Sequence, residues 1–109
     1  MIILRTPIKL KLLKLRLKYS KKLIKCVADI EHRLLVVDCD LHLDGEDWLC
    51  DMGSQSQFIW GFYYNVDELE LEYDAMTNFK SLYGNRSETI TDPILKDKIR
   101  LLVSDLILE

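Results

Sequence analysis

The chain has 109 residues, 49% of them apolar and 30% charged, with a net charge of −3. That apolar content excludes a disordered chain, and the length suits one domain, residues 1–109, around one core. No apolar run reaches the ~18 residues that span a bilayer, and Lys9, Lys11, Lys14, Arg16 and Lys18 break every stretch that would serve as the apolar part of an export signal, so a cytoplasmic protein with no membrane association is expected.

Residues 8–23 read two ways. Thr6-Pro7 resembles an N-cap followed by a first-turn proline. Ile8, Leu12, Leu15 and Tyr19 then form one helical stripe, and Leu10, Leu13 and Leu17 a second on nearly the opposite side. The same residues also alternate as a strand would. Leucine and lysine favour helix over strand, and a helix is the expectation.

Residues 24–41 sort as a hairpin about a turn at Glu31 to Leu34. That register sets Ile30, Ala28, Cys26 and Ile24 against Leu35, Val37, Cys39 and Leu41 on an apolar face. Lys25, Val27 and Asp29 then oppose Val36, Asp38 and Asp40 on the other face. A short helix is expected from Asp44, as its cap, to Met52, with Gly53 as its stop and Trp48, Leu49 and Met52 inward.

A second hairpin turns at Asn65 to Glu68 and pairs Tyr64, Phe62, Trp60 and Phe58 with Leu69, Leu71, Tyr73 and Ala75. The final helix starts at Asp92-Pro93 and turns Leu95, Ile99, Leu102, Val103 and Leu106 to the core. Ile94, Leu101 and Leu108 make a narrower stripe, which would serve as an oligomer contact or pack on the basic first helix. The expected fold is therefore α+β in the order α-ββ-α-ββ-α. Its two antiparallel hairpins form one sheet, with helices packed on the apolar face and the sheet edges available for pairing with a second copy.

Charge is split along the chain. Residues 1–33 hold ten Lys or Arg against Asp29 and Glu31, a local charge of +8, and residues 34–109 carry −11. The split suggests two halves that attract each other within one fold. A nucleic-acid interface through Lys11, Lys14, Arg16 and Lys18 is the competing reading. It is disfavoured by leucines interleaved all round and by the acidic remainder. Cys26, Cys39 and Cys50 are odd in number and lack CxxC spacing, as expected of reduced thiols.

The richest polar run is Asp38-Cys39-Asp40-Leu41-His42-Leu43-Asp44. On an extended strand Asp38, Asp40 and His42 would share a side and hold a divalent ion for hydrolysis. An acidic outer face, with Asp40 opposite Lys25, explains the same residues without an ion, so no cofactor and no metal are expected. Glu68, Glu70, Glu72 and Asp74 alternate with Leu69, Leu71 and Tyr73 as a solvated strand face does. Gly84-Asn85-Arg86-Ser87 would place a guanidinium on a loop, to take an anion or to pair with Asp74 or Glu72. Asp40, His42, Asp74, Asn85 and Arg86 make up the candidate polar site. No GxSxG, P-loop, GxGxxG or HExxH motif is present. The leading expectation is a small non-catalytic binding or accessory protein acting through protein contacts. A metal-dependent hydrolase using Asp38, Asp40 and His42 is the alternative.

Several words of the chain resemble, in order, a family of short prokaryotic proteins catalogued as a domain of unknown function. They are Leu41-His42-Leu43-Asp44-Gly45-Glu46, Gly53-Ser54-Gln55-Ser56-Gln57, Trp60-Gly61, Glu72-Tyr73-Asp74-Ala75-Met76 with Asn78, Gly84-Asn85-Arg86-Ser87 and Asp92-Pro93. The resemblance implies an amino-terminal helix and a domain of this size, and it carries no activity. The almost purely basic first segment departs from the family's pattern.

Overall fold

A computed structural model describes residues 1–109. The elements run β1 (Ile2–Leu4), β2 (Ile8–Lys9), α1 (Leu10–Arg16), β3 (Leu23–Asp29), β4 (Leu34–Cys39), α2 (His42–Asp51), β5 (Ile59–Asn65), β6 (Glu70–Glu72), α3 (Pro93–Leu106) and β7 (Ile107–Leu108). Five strands form an antiparallel sheet in the order β1-β4-β3-β5-β6, and β2 and β7 form a separate parallel pair. The fold is α+β, as expected, with three strands the sequence reading did not foresee.

Next to their turns both hairpins keep their expected faces and shift their registers, while Ala75, expected opposite Phe58 on the apolar face, lies past β6 against Gly61 on the reverse face. Ala28 pairs with Leu35 rather than Val37, and Tyr64 with Leu71 rather than Leu69. In each case the turn moves by one residue and the ladder by two, which preserves side-chain parity. Turn chemistry sets the shift. The Asp29 carboxylate accepts the amides of Glu31 and His32, and the Asn65 side-chain oxygen accepts those of Asp67 and Glu68.

Past Val36 the first hairpin departs further. The ladder shifts between Lys25 and Val27, beside Asp38, whose φ is +59°. This bulge turns the rest of β4 over. Cys39 therefore leaves the face of Cys26 and joins Val27, Val36, Leu49 and Ile59 in a second core, correcting the expected pairing of the two thiols. The reverse face of the sheet, read as polar and outward, is thus apolar at its centre and covered by α2. Gly45 permits that contact, since a Cβ there would lie 2.8 Å from Cys39 Sγ and 2.9 Å from Val27 Cγ2.

The larger core lies on the opposite face. Ile24, Cys26, Ala28, Phe62 and Tyr64 of the sheet meet Leu13 of α1 and Ile99, Leu102, Val103 and Leu106 of α3. Asp92 caps α3 through the Ile94 amide at 2.9 Å, as the Asp-Pro pair predicts. The first helix is far shorter than residues 8–23. Pro7 precedes β2 instead of opening the helix, because Ile8 and Lys9 pair with Ile107 and Leu108, and α1 has no side-chain cap. Of its two leucine stripes, Leu10, Leu13 and Leu17 face the core, while Leu12, Leu15 and Tyr19 stay exposed.

Candidate functional site

The N-terminus of α2, the reverse face of β3 and β5, and the segment after β6 enclose a groove of about 530 Å³, a size usual for ligand sites. Its apolar wall is Leu41, Leu43, Tyr63, Ala75 and Met76, and its polar groups are Lys25, His42, Asp74, Thr77 and Glu88.

His42 opens α2, whose cap is Leu41, three residues before the Asp44 expected in that place. Asp44 is not the cap but lies three residues in, where its carboxylate accepts the Leu41 amide at 3.1 Å. That puts His42 over the sheet, with Nε2 2.9 Å from the Phe62 carbonyl and the ring edge-on to Tyr63 at 4.9 Å. Because a carbonyl only accepts, Nε2 carries the hydrogen, and Nδ1 keeps a free lone pair. Burial holds the imidazole pKa below its ordinary value, against the hydrogen bond to Phe62, so the ring is neutral at pH 7.

Gly61 and Asn78 shape the floor. A Cβ on Gly61 would come within 2.8 Å of Ala75 Cβ and 3.1 Å of both His42 Cδ2 and Thr77 Oγ1. Asn78, fully buried, accepts the Gly61 amide and donates to its carbonyl, both at 2.8 Å. It stands where a strand would continue beyond β6. Thr77 Oγ1 is buried at the groove with no hydrogen-bond partner in the chain.

The sequence candidates separate. His42 and Asp74 line the groove, and Asp40 lies beside it, its carbonyl taking the Lys25 ammonium at 2.9 Å. Asn85 is spent on loop closure, donating to the carbonyls of Asn78 and Ser87. The exposed Arg86 makes no ion pair with Asp74 or Glu72, and Asn85 fixes the loop in its place. Asp38 is buried, not outward. It accepts the Lys18 amide at 2.7 Å and pairs with Lys21 Nζ at 2.7 Å. Burial pushes its carboxyl up, but these partners outweigh that and hold it below the usual value. No three His, Cys, Asp or Glu side chains gather where an ion would bind, so Asp38, Asp40 and His42 do not converge. Glu70 and Glu72 are exposed, as a solvated strand face requires. Tyr63, Thr77 and Glu88 carry no signal in the sequence as site residues, while Lys25 is marked there only as the partner of Asp40 and Met76 only as part of the word Glu72-Tyr73-Asp74-Ala75-Met76.

The basic first segment is partly neutralised within the fold, through Lys14–Asp67 at 3.0 Å, Lys18–Asp40 at 3.6 Å and Lys21–Asp38. Ile94 and Leu101 are exposed rather than packed on α1. Leu108 lies past the helix in β7, so the spacing of seven makes no continuous helical stripe. No helix is long and apolar enough to cross a membrane.

The family described as a protein of unknown function (DUF5674) matches residues 2–106. This chain belongs to that family. No curated protein and no solved structure matches it. The words that carry the family resemblance fall on the start and stop of α2, on Gly61 with its Asn78 clamp, on the Asn85 loop and on the α3 cap. They mark the groove and the joints that hold it.

Proposed function

We propose that this protein is a non-catalytic binding protein acting through protein contacts, and that the α2 groove seats a partner's apolar side chain. One observation carries the reading. An apolar wall surrounds a neutral imidazole whose only hydrogen is already committed to the Phe62 carbonyl. The Phe62 carbonyl and Tyr63 fix the ring, but its Nδ1 hydrogen-bonds no hydroxyl or thiol of the chain that it would activate as a general base. Its Nδ1 lone pair and the Thr77 hydroxyl suit fixed hydrogen bonds to a ligand, and the wall supplies about 25 cal/mol per Å² of apolar area covered. Three unbridged thiols support a reducing, cytoplasmic setting, and residues 1–109 are taken as one domain.

Selection from a random displayed-peptide library tests this. Peptides with an apolar anchor should enrich on the wild type and lose binding to the Leu43→Lys/Met76→Lys variant. Failure to enrich any peptide, or equal binding to that variant, overturns the reading.

A further inference from the structure

The exposed face of α1 and the rim of the groove are matched in charge and in apolar character. Leu12 is 47% exposed and Leu15 82% exposed. Lys11 lies four residues before Leu15, and Arg16 four after Leu12, so all four side chains share one helical face. Neither Lys11 nor Arg16 has an ion-pair partner in the chain. This is a leucine ridge bordered by two free cations.

Across the molecule, Met76 at the groove is 78% exposed and Leu41 and Leu43 more than half exposed. Around them stand Asp74 and Glu88, with Glu72 opposite Tyr63 on the same sheet face. Glu72 and Glu88 have no basic partner, and Lys25, the one cation lining the groove, is held by the Asp40 carbonyl. The groove is therefore an apolar slot with an anionic rim.

The two surfaces lie on opposite faces of the sheet, since α1 packs on the larger core and the groove on the face covered by α2. They cannot meet within one copy. We propose that the occupant of the groove is a second copy of this chain, whose Leu12–Leu15 ridge seats in the slot while Lys11 and Arg16 meet the acidic rim. The inference rests on the groove's being a binding site and names its partner. The contact is head-to-tail, leaving a free ridge at one end and a free groove at the other, so copies add in series or close as a ring.

Sedimentation across a concentration series tests it. The weight-average mass of the wild type should rise with concentration and fall back at high salt. Leu15→Ser/Arg16→Ser removes only the ridge and Met76→Lys/Glu88→Lys only the groove, and all four side chains are exposed. Each variant alone should be monomeric, and an equal mixture should give a discrete dimer that stops at two. A wild type that stays monomeric to its solubility limit overturns the proposal. So does self-association of either variant alone, or a mixture that forms no dimer. If the displayed peptides still bind the groove in those cases, only the choice of partner is lost.

Discussion

Gly45 shows how a single hydrogen in place of a methyl sets an interface. Alanine there would gain about 1 kcal/mol of helix propensity but drive its Cβ into Val27 and Cys39. Overpacking against a β-branched neighbour costs about 1–3 kcal/mol, so Gly45→Ala should lower stability, read as a reduced midpoint in urea. Asn78 answers to a different cost. Asn78→Ala leaves the buried amide and carbonyl of Gly61 unpaired, at about 1–3 kcal/mol for each group. Chemical denaturation should show a loss well above that of an exposed Asn→Ala change. His42 has a pH signature. Its folded pKa lies below the unfolded value, so the unfolded chain binds the extra proton. Stability is then complete above pH ~6.5 and is lost as pH falls from there towards the folded value. The His32 pKa is raised by its hydrogen bond to Asp29, so its contribution is lost only as pH rises above that same point. The two windows do not overlap. Stability of His42→Gln should be flatter than that of the wild type below pH ~6.5 and parallel to it above.

At the scale of elements, legibility followed periodicity. The face of every residue in β5 could be read from alternation, because a slip of two leaves parity intact. The registers could not, since they depend on which of several adjacent polar residues bonds the turn amides. The Cys39 face was lost for a more local reason. The bulge beside Asp38 is held from outside the hairpin, by the Lys18 amide and Lys21, and no pattern within residues 24–41 encodes it. The groove was half legible for the same reason. His42 and Asp74 were found as polar residues in a run, while Tyr63, Met76 and Thr77 reach it through the tertiary path of the chain. The tether also makes a prediction. Asp38→Ala should free the segment between α1 and β3, so amides near Lys18 should exchange faster while those of β5 keep their protection. In the wild type the tether should hold above pH ~3.8 and weaken as acid titrates the carboxylate through its depressed folded value.

For the whole molecule, the charge split between the first 33 residues and the rest has a structural outlet. Lys14, Lys18 and Lys21 reach across to Asp67, Asp40 and Asp38. The Lys14–Asp67 pair is exposed on both sides, and Lys14→Ala should change stability by no more than about 0.5 kcal/mol, measured by urea unfolding. Lys21 meets a buried carboxylate, and Lys21→Ala should cost several times as much. Among the charges left without an ion-pair partner are Lys11 and Arg16 on one face and Glu72 and Glu88 on the other.

The clasp between β2 and β7 bears on how the chain acquires its shape. It joins Ile8 to Ile107, nearly the whole length of the polypeptide apart. The seven-residue helix that follows β2 is uncapped and too short to persist alone. During synthesis, then, the leucines of α1 stay loose until the last strand emerges, and closing so long a loop belongs among the late, slow events. A ribosome paused before residue 107 would hold a chain with its sheet and the Lys18–Asp38 tether in place but without the clasp on Ile8 and Lys9.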